Sequence, residues 1–316
     1  MKQTVIVVAG PTASGKSGLG IELAKRINGV VISADSMQIY KRLDVGTAKI
    51  TPEESQGIKH ELIDIVDVSD KFSVMEYKDM CYQKIEEIFA LGKVPIIVGG
   101  TGLYINAAVN NMQFEEFDKE YEELVEQKLN TLIQGKTSDE LFDLLKEMDE
   151  KAADKIGKGN DKRIIRAIKL NLLGTNKSDI DNRNDLWQKN ESKYNFLVIY
   201  IDMPRDLLYD RINMRVDRMV EQGVLEEAKM LYDMKDKSIT ACQAIAYKEF
   251  FEYIEGIKTL EQCVEKLKQK TRNYAKRQIT WFKKLQDKLI VDGTKSKEEI
   301  IQSILKEYNE KNRCQQ

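Results

Sequence analysis

GPTASGKS (residues 10–17) follows the apolar run TVIVVA and stands just before LGIELAKRI, which has helical spacing. It matches the pattern G-x-x-x-x-G-K-[ST] in the strand-to-helix setting that the pattern requires. Gly10, Pro11, Thr12, Ala13, Ser14, Gly15, Lys16 and Ser17 therefore read as a phosphate loop. The glycines let backbone N–H groups turn toward an anion, Lys16 brings a positive charge, and Ser17 offers a hydroxyl to a magnesium ion. Such donors meet only a diphosphate and its metal, so ATP and any other diphosphate ester satisfy them equally.

Working outward, strand-like runs occur at residues 5–8, 30–33, 62–66, 95–98, 196–201 and 289–291, several separated by helical patterns. That alternation predicts an α/β fold: a P-loop NTPase-like parallel sheet flanked by helices. Ser73 followed by Glu76 is a capping-box signature for the helix that ends near Gly92. Between residues 114 and 194 no strand pattern appears, and YEELVEQKLNTLI and DELFDLLKEM are helical. The expected organisation is a core of residues 1–113 and 195–316 with an all-helical insertion domain at 114–194. The insertion opens acidic and becomes basic at NDKRIIRAIK (160–169), so one face should avoid polyanions while another meets them.

Composition narrows the function classes. Of the 316 residues 42% are apolar, enough for a substantial core, and 50 basic against 52 acidic side chains leave overall charge uninformative about a nucleic-acid partner. Cys81, Cys242, Cys263 and Cys314 lie far apart without a CxxC pair, which indicates neither a zinc site nor a disulfide framework. No signal peptide or membrane-length apolar run is seen, so a cytoplasmic protein with no membrane partner is expected. With His60 the single histidine, proton transfer falls to it or to carboxylates, Lys or Tyr.

Several runs end in acids: Asp35, Asp64 or Asp67, and Asp202. In a parallel sheet these ends share the ligand edge with the phosphate loop. Asp64, Asp67 and Asp202 read more simply as turn or cap acids. Asp35 differs, because SMQIY follows it and sets a carboxylate, a hydroxyl and an amide within four residues. In GGTGLY (99–104), Thr101 is either a helix cap or a hydroxyl beside a phosphate. Arg211, Arg215 and Arg218 recur at helical spacing as surface charges or as a diphosphate clamp. The basic tail at 264–288 sets Lys266, Lys270, Arg277 and Lys284 on one stripe and Val264, Leu267, Thr271, Tyr274, Gln278 and Leu285 on another. Solvation and phosphate contact explain the basic stripe equally well.

Taken in order, GPTASGKS, SADSMQIY, DVGTAK, IKHELID, VGGTGLY, NDKRIIRAIK, RINMRVDRMVEQG, QAIAYKE and YAKRQITWF resemble the tRNA dimethylallyltransferase family over nearly the whole chain. The resemblance implies transfer of a dimethylallyl group from dimethylallyl diphosphate to N6 of adenine 37, in tRNAs reading codons that begin with U, with Mg2+ and release of diphosphate. It makes Asp35 the general base, sets Thr101 near the reacting centre, and gives the diphosphate to Lys16, Ser17, the loop amides and Arg215, with Arg211 as partner. Ser36, Met37 and Gln38 would line the adenine pocket, while Asn160, Asp161, Lys162, Arg163, Ile164, Gln243 and Tyr247 would be further tRNA contacts. The insertion would close on the anticodon stem-loop, and a monomer is expected. Two positions depart from the family pattern: Ala246 stands where glycine is usual, and Glu122 where arginine is frequent. From the phosphate loop alone, a small-molecule or nucleotide kinase would fit instead. The basic tail and insertion also fit a nucleotide-switched RNA-binding module.

Overall fold

The computed structural model describes residues 2–114, 117–176, 190–234 and 240–313; Cys314 and residues 177–189 of the expected insertion lie outside them. Strand β1 (Thr4–Ala9) leads through the phosphate loop into α1 (Lys16–Ile27), followed by β2 (Gly29–Ala34), α2 (Pro52–Ser55) and β3 (His60–Glu61). Next come α3 (Val74–Ala90), β4 (Val94–Gly99) and α4 (Gly102–Val109). A helical stretch follows, made of α5 (Lys119–Ile133), α6 (Ser138–Met148), α7 (Glu150–Ile156) and α8 (Asp161–Leu172). The chain then returns to β5 (Asn195–Asp202), α9 (Arg205–Glu221), α10 (Val224–Tyr232), α11 (Phe251–Ile254), α12 (Leu260–Lys284), β6 (Lys288–Asp292) and α13 (Lys297–Arg313).

Among the described residues the strands form one six-stranded sheet, order β3-β2-β4-β1-β5-β6, with every pair parallel. The reason is visible in β1, whose residues are all buried and mostly β-branched, as a strand covered on both faces requires. Ile6 and Val8 pack with Leu19 and Leu23 of α1 and with Ile300 and Ile304 of α13. Val5 and Val7, which alternate with them, are equally buried. Helix α3 starts where expected, since Ser73 accepts the Glu76 N–H and Glu76 reaches back to the Ser73 N–H.

One strand reading is corrected. The run at 62–66 is not a strand, because Leu62 (φ 60) and Asp64 (φ 56) adopt left-handed backbone that no extended strand accommodates. The paired residues are instead His60 and Glu61, and of the expected run Val66 alone bridges, to Tyr40. The basic tail also shifts: α12 begins at Leu260 behind a Thr259–Gln262 capping box and ends at Lys284.

Two compact units are present, Met1–Asn111 with Glu191–Gln316, and Met112–Asn190. The second has its own apolar core, in which Leu129 meets Leu141, Leu145, Ala153, Ile164 and Ile168. Its described residues contain helices and no strand.

Candidate active site

Strands β2, β4 and β1 are neighbours, and Ala34, Gly99 and Ala9 lie level across them. Three loops therefore leave the sheet side by side: the phosphate loop, the Asp35 turn and the Thr101 turn. Gly99 makes that approach possible, since a Cβ there would stand 2.1 Å from the Ala34 carbonyl oxygen. The same carbonyl accepts the Thr101 N–H at 3.1 Å, which ties the second loop to the third.

The phosphate loop turns through left-handed backbone at Ala13 (φ 63) and Gly15 (φ 88) into the start of α1. Ala13 is seated among Leu208 and Ile212 of α9 and Ala275 and Ile279 of α12, so the loop is fixed from below. The first N–H groups of α1 have no partner within the helix and favour an anion. The Ser14 hydroxyl is buried and makes no hydrogen bond. Among the described residues Lys16 Nζ reaches only the Pro11 carbonyl, at 3.3 Å. Burial first, then the neighbouring Arg215, bring its pKa down to about 8, and Asp35 acts in the opposite direction. Arg215 donates to Thr12 Oγ1 at 3.4 Å, and burial together with Arg218 lowers its pKa. The arrangement is a set of cations and donors with few anionic partners, which an incoming anion would supply.

A cavity of about 1180 Å³ opens beside this loop, with Lys16, Ser17, Lys49, Arg215, Arg218 and Lys297 on its walls. Arg211, expected to join Arg215, is not on that lining, whereas Arg218 is. Helix spacing admitted both partners; which of them faces the cavity follows from how α9 is seated on the core.

On the Asp35 side the hydrogen bonds are largely made. Asp35 Oδ1 accepts the N–H groups of Met37 (2.9 Å) and Gln38 (3.4 Å). Thr101 Oγ1 accepts the Ser36 N–H at 2.9 Å and donates to Ser36 Oγ at 3.2 Å. Although Thr101 is the N-cap residue of α4, its hydroxyl makes no capping bond, so the capping role read from sequence belongs to its backbone position only. Gln38 is tied inward: Oε1 accepts from Ser33 Oγ at 3.1 Å and Nε2 donates to the carbonyls of Thr47 and Ala48. Met37 is packed partly against the core.

Two residues of the site were read from sequence only as members of an apolar stripe. Gln278 of α12, 5% exposed, accepts the Thr12 N–H at 2.8 Å and donates to the Gly100 carbonyl at 2.9 Å. It joins the phosphate loop to the Thr101 loop. One turn earlier, Tyr274 sits beside Thr101 and Gln278, and burial and Asp35 push its hydroxyl up to about 12, so it stays protonated and a donor. The available signal was a glutamine at a helical core position, where an amide needs partners.

Other expected residues fall elsewhere. Ile164 is fully buried in the core of the helical unit, and Tyr247 is fully buried in the sheet-containing unit, so neither offers surface to an RNA. Asn160, Asp161, Lys162 and Arg163 are exposed at the start of α8, and Gln243 is exposed on a short 3-10 turn. Asp67 is a turn acid bonded to Ser69, Asp64 pairs with Lys49 at 2.6 Å, and Asp202 is exposed at the end of β5. Of the basic stripe, Lys266 is paired with Glu252, while Lys270, Arg277 and Lys284 are exposed.

Among the described residues no group of three or more His, Cys, Asp or Glu could hold a metal ion. Ser17, exposed at the cavity wall beside Lys16, presents a hydroxyl of the kind that a phosphate-bound divalent metal takes as one ligand.

Comparison with known proteins identifies the family of the chain. A family model described as IPP transferase matches residues 38–285. A tRNA dimethylallyltransferase of Acetivibrio thermocellus is 46% identical over 95% of this chain and 96% of its own, and one of Halalkalibacterium halodurans is 44% identical over 90% and 89%. A solved tRNA isopentenylpyrophosphate transferase of Bacillus halodurans aligns over 100% of this chain and 99% of its own at 39% identity, with a TM-score of 0.72. A eukaryotic dimethylallyltransferase solved in snapshots of its action on tRNA aligns over 92% of this chain and 74% of its own, at 31% identity and a TM-score of 0.77.

Proposed function

This chain belongs to the IPP transferase family, whose curated relatives are tRNA dimethylallyltransferases, and from that premise we propose how its residues transfer a dimethylallyl group to tRNA. The acceptor is N6 of adenine 37 in tRNAs that read codons beginning with U, and the donor is dimethylallyl diphosphate. The observation that supports this best is the join between two unlike half-sites, a diphosphate cradle around Lys16 and Arg215 and a carboxylate turn around Asp35: Gln278 ties the phosphate loop to the Thr101 loop, and the Thr101 N–H bonds the Ala34 carbonyl beside Asp35.

An adenine amine is a poor nucleophile, because its lone pair is delocalised into the ring. Transfer forms the N6–C1 bond and breaks the bond from C1 to the diphosphate oxygen, while N6 gives up a proton. Both backbone N–H groups at the turn bond Asp35 Oδ1, so Oδ2 is the oxygen left to receive that proton. The diphosphate leaves with its charge met by Lys16, Arg215, the first amides of α1 and the unpartnered Ser14 hydroxyl. Thr101, with Tyr274 behind it, stands between the two halves and orients the reacting centre. Magnesium held by Ser17 and the diphosphate would neutralise charge on the leaving group.

Reaching N6 requires the adenine to leave the anticodon-loop stack, and Ser36 and Met37 are the proposed pocket edge. Asn160, Asp161, Lys162, Arg163 and Gln243 are proposed tRNA contacts, with Lys270 and Arg277 meeting phosphates. A monomer is the proposed working form. The test incubates the protein with unmodified tRNA, magnesium and labelled dimethylallyl diphosphate, in parallel with labelled ATP. Label should enter tRNA from the prenyl donor alone. Phosphate transfer from ATP, or tRNA binding without incorporation, would overturn the reading.

A further inference from the structure

The loop at residues 44–49 has no role in the chemistry above, yet Asp44, Val45, Ala48 and Lys49 form part of the cavity wall. Its shape is imposed by a residue of α10 that lies 182 positions beyond Val45. Glu227 Oε1 accepts the N–H groups of Asp44 (2.9 Å) and Val45 (2.7 Å), and Oε2 accepts that of Gly46 (3.0 Å). Three successive amides converging on one carboxylate are a backbone nest filled by a side chain, and such charge-assisted bonds are about twice as strong as neutral ones. A fourth bond comes from the Tyr247 hydroxyl, which donates to Oε2 at 2.9 Å. The Tyr247 ring lies so close over Gly46 that a Cβ there would fall 2.5 Å from it.

From this loop a chain of bonds returns to the reacting carboxylate. Gln38 Nε2 donates to the carbonyls of Thr47 and Ala48, and the Gln38 N–H in turn bonds Asp35 Oδ1. We propose that Glu227 and Tyr247 are one positioning unit: they set the 44–49 loop, and through it both the donor cavity wall and the seat of Gln38 behind Asp35. The inference rests on the transfer reaction proposed above. It also gives the buried Tyr247 a function from inside the protein, in place of contact with RNA.

The test compares the full-length wild type with Glu227→Gln, Tyr247→Phe and the double variant. Glu227→Gln keeps the shape but turns an amide NH2 against N–H donors, while Tyr247→Phe keeps the ring over Gly46 and removes only the hydroxyl. Glu227→Gln should lower kcat about 10- to 100-fold, the scale of a sub-ångström misplacement, with tRNA Kd within about twofold of wild type. Tyr247→Phe should lower kcat less, and the double variant should be no worse than Glu227→Gln, because members of one unit are not additive. Hydrogen exchange at the Met37 and Gln38 amides should quicken in Glu227→Gln. A lowered Tm with unchanged kcat would mark a merely structural role and overturn the proposal. So would multiplicative losses in the double variant, or a Tyr247→Phe change confined to tRNA Kd. If Glu227→Gln does not fold, an unchanged kcat in Tyr247→Phe overturns it. A wild type that transfers no dimethylallyl group would remove the reaction reading instead; the exchange rates at Met37 and Gln38 then decide whether the unit reaches the Asp35 turn.

Discussion

The two halves of the site are built on opposite principles. At the phosphate loop, among the described residues, Lys16 has one weak carbonyl partner, the Ser14 hydroxyl has none, and Arg215 stands close enough to lower the Lys16 pKa. At the Asp35 turn, Oδ1 takes two backbone N–H groups, Thr101 both accepts and donates, and every polar atom of the Gln38 amide is engaged. A binding site for a polyanion has to keep its cations unpaired until the ligand arrives, at a cost in stability. A site that orients a base does better with its bonds already made. The difference predicts that the first half will trade stability against activity and the second will not.

The largest effect is expected from Asp35→Asn. The amide oxygen can still accept the Met37 N–H, so Tm should move little, while removal of the base lowers turnover by about 10²- to 10⁴-fold with tRNA affinity retained. Near-normal turnover would remove Asp35 as the base. Next comes Lys16→Met, which should reduce turnover by about 10²- to 10³-fold and raise Tm by a few degrees, because a desolvated cation is replaced by an apolar chain. A lower Tm would show that the Lys16 cation is not held at a cost in stability.

The same lysine sets a pH dependence. Its pKa in the folded chain, about 8, lies below the ordinary lysine value of 10.5, so the free enzyme loses this charge as pH rises through about 8. The kcat/KM for dimethylallyl diphosphate should fall over that range, and the fall should disappear in Lys16→Arg. Folding stability responds with the opposite sign. Between those two values the unfolded chain holds more protons on this group, so its contribution to stability increases with pH.

Gln278 joins the two halves, and its variants are expected to be intermediate. Gln278→Leu leaves the Thr12 N–H and the Gly100 carbonyl without partners and should cost about 1–3 kcal/mol of stability. Gln278→Glu keeps the acceptor but adds negative charge beside the diphosphate, so its activity should fall below that of the leucine variant, in steady-state kinetics at equal Tm. The smallest effect concerns Ala246, whose φ of 89 is a conformation that favours glycine. Ala246→Gly should stabilise the fold by about 0.5–1 kcal/mol after the entropy of the unfolded chain is counted, with activity unchanged. Chemical denaturation would measure it.

Much of this was legible in the chain because it depends on near neighbours. Alternating β-branched runs became β1, β2, β4, β5 and β6, and the Ser73–Glu76 pair capped its helix as local bonds must. The phosphate loop was equally readable, since a glycine-bounded turn before a helix needs only contiguous residues. The run at 62–66 misled because hydropathy does not register the left-handed backbone at Leu62 and Asp64. Local sequence thus sufficed for the parallel sheet, the glycine-bounded phosphate loop, and the carboxylate that follows β2. It took long-range packing to set Arg218 in the cavity with Arg215, to make Gln278 bridge two loops, and to bury Tyr247 against Glu227. Helical periodicity reports which face of α12 is covered but is blind to what covers it. The partners of Gln278 lie 266 and 178 residues away along the chain, and only folding brings them within hydrogen-bond reach.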